Sequence, residues 1–208
     1  TDTDADRGKE VFAFVPNEMM ENQPKAFLSE GNTKLGKDNL YYGVDAPWTA
    51  YTQYVSQVDQ TLTVSDSGRK DNDGNDLALK GLQWVYGGLR MGGRSYYALD
   101  LSEIDKPTLK FHINPTGDGS SSNPQGYMGE SWSKPTIAWV NWGGVRKLVM
   151  FVGGGYDRTG GTDGKGYENP AYEQTNKKGA GVYMFDAGDG SLLWWSSANV
   201  GTTSSADT

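Results

Sequence analysis

"GGLRMGGRSYYALDLSEIDKPTLKF", from Gly87 to Phe111, links two glycine pairs to an alternating aromatic run, stops at Asp100, and then starts a second apolar run. Taken alone it is a hairpin, because period-two alternation marks a half-buried strand and the residues after Asp100 mark a turn. The rest of the chain makes it one copy of a repeat. "VFAFVP" (Val11–Pro16), "YYALDL" (Tyr96–Leu101) and "VYMFDA" (Val182–Ala187) superpose on Phe14, Leu99 and Phe185. They recur at about 85 residues, a period that decides architecture before single elements do. Two of the three put an aspartate, Asp100 or Asp186, at the strand end, where its carboxylate can close an Asx-turn. Recurrence at one strand position points to turn capping and away from catalysis.

The flanks repeat as well. "LQWVYGGLRMGG" precedes Tyr96 and "RKLVMFVGGGYD" precedes Val182, each an apolar run ending in glycines. Further upstream, "YTQYVSQVDQTLTV" (Tyr51–Val64) and "WSKPTIAWVNW" (Trp132–Trp142) read as strands. Downstream, "TLKFHI" and "SLLWWSS" match each other. The unit therefore reads as four antiparallel strands, A to D. Such units in series are β-propeller blades. The predicted fold is all-β, with quinoprotein-like blades at 51–114 and 131–197. A leading strand and a short helix, broken near Pro24, occupy 1–50, and 198–208 reads as a linker. Two blades and a strand do not close a ring, so a partial propeller is expected, in a chain whose ends look like cuts.

A blade takes about 40–50 residues, so the longer period requires insertions. Three are visible at Ser65–Gly81, Asn114–Ser131 and Tyr156–Gly179, all rich in Gly, Ser, Asn or Asp. Loops of that length in a compact fold are usually functional or mobile.

Composition agrees and narrows the function. The 208 residues include 29 Gly, 7 Trp and 12 Tyr. Glycine disfavours helices by about 1 kcal/mol per interior position, so short strands and tight turns are favoured. The net charge of -7, with no basic run, argues against direct nucleic-acid binding. No cysteine is present, which removes disulfides, thiolate metal sites and cysteine nucleophiles. No stretch is apolar enough for a membrane span, so no membrane insertion is expected. The opening "TDTDADRGKE" lacks the features of a signal peptide.

"DAGDGSLLWW" (Asp186–Trp195) resembles the quinoprotein-type propeller repeat, shared by alcohol dehydrogenases and by assembly scaffolds. A longer series is similar to the PilY/PilC family of type IV pilus biogenesis factors and tip adhesins. It comprises "GKEVFAFVPNEMM", "YYGVDAPWTAY", "LQWVYGGLRMGGRSYYALDLS", "GESWSKPTIAWV", "KLVMFVGGGYD" and "GVYMFDAGDGSLLWW", in that order. The resemblance runs over most of Gly8 to Trp195 and implies the first part of that family's C-terminal propeller. It further implies a non-enzymatic module at the surface of a Gram-negative bacterium, supporting pilus assembly, control of retraction and attachment. The implied partners are minor pilins at the pilus tip and host or abiotic surfaces. Two features depart from the pattern. "YYGVDAPW" stands where the family commonly has Tyr-Phe-Val-Asp-Gly, and the Asp157–Gly179 insertion is long. The family's calcium loop would fall beyond Thr208. The alternatives are a fragment of a quinoprotein-like dehydrogenase and an outer-membrane assembly scaffold.

For metals, "DNDGND" (Asp71–Asp76) is the leading candidate, with Asp71, Asp73 and Asp76 as calcium ligands. Calcium takes six to eight oxygens, and closely spaced carboxylates on a glycine-bent loop can supply several. In an EF-hand-like register Asp71 and Asp73 take positions three and five, but Arg69 then falls on position one and cannot ligate. A solvated acidic turn is the competing reading. Asp163 and Glu168 form a weaker acidic loop, and Asp118 fits an ordinary turn. The single histidine, His112, lies between Phe111 and Ile113 and is expected to point away from the core. With no cysteine and no G-x-S-x-G elbow, it completes neither a zinc site nor a hydrolase triad. The tryptophans are read mainly as packing between blades, with Trp194 and Trp195 on opposite faces of their strand.

Overall fold

The computed structural model describes residues 8–24, 42–158 and 178–198. Two four-stranded antiparallel sheets make up most of it, each a simple meander. The first contains β1 (Trp48–Gln53), β4 (Leu82–Gly88), β5 (Tyr96–Asp100) and β6 (Thr108–Ile113), in that order. The second contains β7 (Thr136–Trp142), β8 (Val145–Gly153), β9 (Gly181–Asp186) and β10 (Leu192–Ser197). The all-β, four-stranded blade topology read from the repeat is therefore the observed one, and β5 and β9 are the third strands of their sheets.

The correspondence extends to a flaw in the ladder. Between β5 and β6 the pairing passes from Ala98↔Phe111 to Leu99↔Leu109, leaving Lys110 unopposed. Between β9 and β10 it passes from Met184↔Trp194 to Phe185↔Leu192, leaving Leu193 unopposed. Both bulges lie on the fourth strand, opposite the same two repeat positions. A bulge bends its strand and increases local twist, so both sheets take the same local curvature.

The paired aspartates act as expected. Asp100 Oδ1 accepts the Ser102 N–H at 2.9 Å, and Asp186 Oδ1 accepts the Gly188 N–H at 2.7 Å. Their other oxygens differ. Asp100 Oδ2 accepts the Trp84 indole N–H at 2.9 Å, whereas Asp186 Oδ2 pairs with Lys147 at 2.6 Å.

The core lies between the sheets. Tyr86, Tyr96, Ala98, Phe111 and Ile113 of the first pack on Leu148, Met150, Val152, Tyr183 and Phe185 of the second. The packing is head-to-tail. By register, Tyr86, Ala98 and Phe111 correspond to Phe151, Met184 and Trp194, which lie on the face of the second sheet turned away from the seam.

Two segments differ from the sequence reading. Val11–Pro16, expected as a leading strand, pairs with neither sheet. Its alternation has another cause, since Phe14 packs edge-on against Trp48 and Tyr97 (centroids 5.9 and 5.3 Å) and Pro16 is buried, while Val11, Phe12 and Val15 face outward. Tyr51–Val64, expected as one strand, is interrupted after Gln53. Val55–Ser56 (β2) and Leu62–Thr63 (β3) form a separate hairpin. The Asp59 carboxylate accepts the Thr61 N–H, and Gln60 has φ 69, so this turn overrides the period-two pattern.

The short helix is α1 (Asn17–Asn22), ending just before Pro24. Trp48 lies across Gly87, its partner in the ladder, where a Cβ would fall inside the indole ring. That close approach explains the first glycine of the opening motif.

Candidate functional site

In a meander of this kind the second-to-third strand turns and the crossover between sheets lie at one end, and the first-to-second strand connections at the other. Three connections at the first end, with α1, Gln23 just after it and Tyr42, enclose a cleft of about 430 Å³. They are the turn after β4 at Met91–Arg94, the crossover at Gly129 and Glu130, and the ends of the β8–β9 insertion at Tyr156–Arg158 and Lys178.

The turn after β4 is held from two sides. From α1, Glu18 Oε1 accepts the Arg94 N–H at 2.9 Å and Oε2 accepts the Ser95 N–H at 3.0 Å. From the crossover, the Ser131 hydroxyl accepts the Leu89 N–H and donates to the Gly93 carbonyl. The Arg94 guanidinium reaches across to donate to the Met128 and Gly126 carbonyls. The rim of the cleft is thus cross-linked by charge-assisted hydrogen bonds, roughly twice as strong as neutral ones.

Glu130 forms the centre of the site. It is 8% exposed. Its Oε1 pairs with Arg158 Nη2 at 2.5 Å and its Oε2 accepts the Trp132 indole N–H at 3.3 Å. Burial pushes its carboxyl up to about 7, against the opposing pull of Arg158 and Trp132. Arg158 also donates to the Met91 carbonyl and lies over the Tyr42 ring, while its Nε is buried without a hydrogen-bond partner. The Gln23 amide bonds both backbone groups of Tyr42, fixing that ring in place. Burial, then the charge of Arg94, holds the Lys178 ammonium below the usual lysine range.

The candidate calcium loop is elsewhere. Ser65–Gly81 connects β3 to β4 at the opposite end. Asp71 Oδ1 accepts the Asp73 and Asn75 N–H groups at 2.9 Å, and its Oδ2 accepts the Asn75 amide. Asp76 pairs with Lys70 at 3.1 Å. As arranged, Asp71 and Asp76 face their own loop, and Asp71, Asp73 and Asp76 do not gather into a ligand set. Among the described residues no group of three or more His, Asp or Glu is placed to hold a metal ion. Asp163 and Glu168 lie outside the described residues. Asp118 lies in a bend with Gly117, and the Asn123 amide donates to the Thr116 and Asp118 carbonyls on either side of that glycine.

His112 points away from the seam, stacked on Tyr97 (4.3 Å, 7°), with Nε2 3.0 Å from the Ser95 hydroxyl. Burial holds its imidazole below the ordinary range, favouring the neutral form. Trp195 stacks with Tyr183 and Tyr127, facing the seam, and Trp194 occupies the other face.

Comparison with known proteins gives one kind of match. No family model and no curated protein matches the sequence. Among solved structures, the crystal structure of the Pseudomonas aeruginosa PilY1 C-terminal domain aligns with a TM-score of 0.50 and 18% identity, over 95% of this chain. The chain shares that domain's fold. It spans 28% of the length of the PilY1 chain. At this identity the likeness is one of architecture. No helix among the described residues is long and apolar enough to cross a membrane.

Sequence reading did not reach Glu18, Glu130, Arg158 or Tyr42. Glu130 had one available signal, as a carboxylate directly before the Ser-Trp that opens the second unit.

Proposed function

We propose that the chain is a non-enzymatic propeller module of a type IV pilus-associated surface protein, acting in pilus assembly, retraction control and attachment. The observation that carries the reading is the fold match over 95% of the chain. The ordered series of strand motifs from Gly8 to Trp195 is consistent with it. A rigid stack of sheets that presents loops at its ends suits a binding role, since loops on a fixed scaffold commonly carry recognition. The partners proposed are minor pilins and the surfaces the pilus meets, through the end that holds the Glu130 cleft.

Deleting this segment from the parent gene, in frame, tests the assignment. Loss of surface pili or of attachment, restored when retraction is disabled, is the expected phenotype. Normal numbers of retractile, adherent pili in the deletion strain would refute it.

A further inference from the structure

We propose that the cleft is a receptor for a carboxylate group of a partner, which displaces Glu130 from Arg158 while Glu130 takes up one proton from solvent. The proposal rests on this end being the binding end, and not on the identity of the partner.

The geometry of the Glu130–Arg158 pair carries it. A guanidinium binds a carboxylate best through two parallel N–H···O bonds. Here only Nη2 meets Glu130, because the second carboxylate oxygen is turned to the Trp132 indole. Nε is left buried and without a partner, at a site where an unmade charged hydrogen bond is costly. Glu130 is therefore an incomplete counter-ion, and a ligand carboxylate that used both Nε and Nη2 would be a better one. Arg158 is 42% exposed along its side chain, on the wall of an open cleft, so a ligand can meet its guanidinium there and gain the buried Nε as Glu130 moves aside.

Exchange would leave Glu130 buried beside a second carboxylate. Protonation removes that conflict, and the environment favours it. Burial, with smaller contributions from the charges of Asp45 and Glu18, raises the carboxyl to about 7 even against the pull of Arg158 and Trp132. The other charged groups facing the cleft are Arg94 on the turn after β4, and Asp157 and Lys178 on the β8–β9 connection. Arg90 stands nearby over the Trp132 ring, paired with Asp45. Glu18 is committed to backbone N–H groups and Arg94 to carbonyls. The charges lining the cleft balance, with Arg94, Arg158 and Lys178 against Glu18, Glu130 and Asp157, so a single carboxylate taking the place of the Glu130 charge keeps that balance and a dianionic phosphate would not. The class of ligand is thus an acidic side chain or chain terminus of a protein.

Calorimetric titration of the intact chain with a blocked tripeptide carrying a central glutamate, and with its glutamine counterpart, tests this. The glutamate peptide should bind and the glutamine peptide should not. From about pH 7 to pH 8.5 the affinity should fall about tenfold per pH unit, with one proton taken up per peptide near pH 8, read from buffers of different ionisation enthalpy. Glu130→Gln should bind without that slope, and Arg158→Gln should not bind, both checked for folding by circular dichroism. Equal binding of both peptides, or no proton uptake by the wild-type chain, would overturn the proposal, and the wild-type measurement decides the matter even if a variant misfolds. Neither result bears on whether deletion strains lose pili, so the two readings fail separately.

Discussion

The Tyr86 hydroxyl donates to the Ala187 carbonyl at 2.8 Å, across the seam between the two sheets. Both residues are fully buried, and burial raises the Tyr86 phenol well above its ordinary range, so it stays a donor at any working pH. Tyr86→Phe would leave that carbonyl without its donor. A loss of about 1–3 kcal/mol is expected. Urea unfolding should show a lower midpoint at unchanged slope. An unchanged midpoint would mean that the seam is looser than described.

Glu18 fixes the turn after β4 through two backbone N–H groups, and Gly93 lies against its carboxylate with no room for a Cβ. Glu18→Ala should release the Arg94 and Ser95 amides, raising their hydrogen-exchange rates while the β8 and β9 amides stay protected. Gly93→Ala should push Glu18 aside and produce the same pattern. Retained protection of those two amides in both variants would remove α1 from the support of the cleft.

Asp100 is pushed up by burial, but hydrogen bonds from Ser102 and Trp84 and the charge of Lys110 more than offset this, so its carboxyl sits below the ordinary value. A depressed folded-state pKa contributes stability that is present above the unfolded value and lost as pH falls through the folded one. Asp100→Asn should therefore be less stable than wild type near neutrality, with the gap closing below about pH 4. Thermal melts across that range would check it, and a gap independent of pH would contradict it.

Glu130 has the opposite sign. Its folded-state value of about 7 lies above the ordinary 4.5, so the folded chain binds the extra proton between them and stability declines as pH rises through that interval. Melting temperature should fall from about pH 5 to pH 7 and then level, and Glu130→Gln should flatten that decline. A wild-type profile that is flat over the interval would show Glu130 to be ionised throughout.

At the Asp71 loop, the carboxylate of Asp71 is spent on its own turn. Calcium below millimolar should leave the amide resonances of Asp71–Asp76 unmoved in a heteronuclear NMR titration. Saturable shifts of Asp73 and Asp76 together would mean that the loop re-wraps around the ion.

What could be read from residues alone was whatever a repeat states twice. The strand of Tyr96–Asp100 and that of Gly181–Asp186 were legible because alternation, glycines and a closing aspartate all agreed. Val11–Pro16 carried the alternation alone, and there the pattern came from Phe14 packing on a finished sheet and from the burial of Pro16. The Asp59–Gln60 turn was hidden inside an apparently continuous strand because neither residue is a strong breaker. The cleft was illegible for a different reason. Glu18, Glu130 and Arg158 come from three distant segments, and each is an ordinary surface residue type until the meander brings those connections to one end. The acidic loop drew notice by local density of charge, which says nothing about where its oxygens point.

The head-to-tail seam gives the stack a polarity. Its two contacting surfaces are opposite sides of one repeated unit, so the join is heterologous and its geometry does not close after two members. Substitutions at Phe151 or Trp194 consequently probe a different surface from those at Tyr86 or Phe111, although the register makes them equivalents. Exchanging the order of the two units in the gene would bring mismatched sides together, and a chain so rearranged should fail to fold even though every strand, turn and bulge is retained.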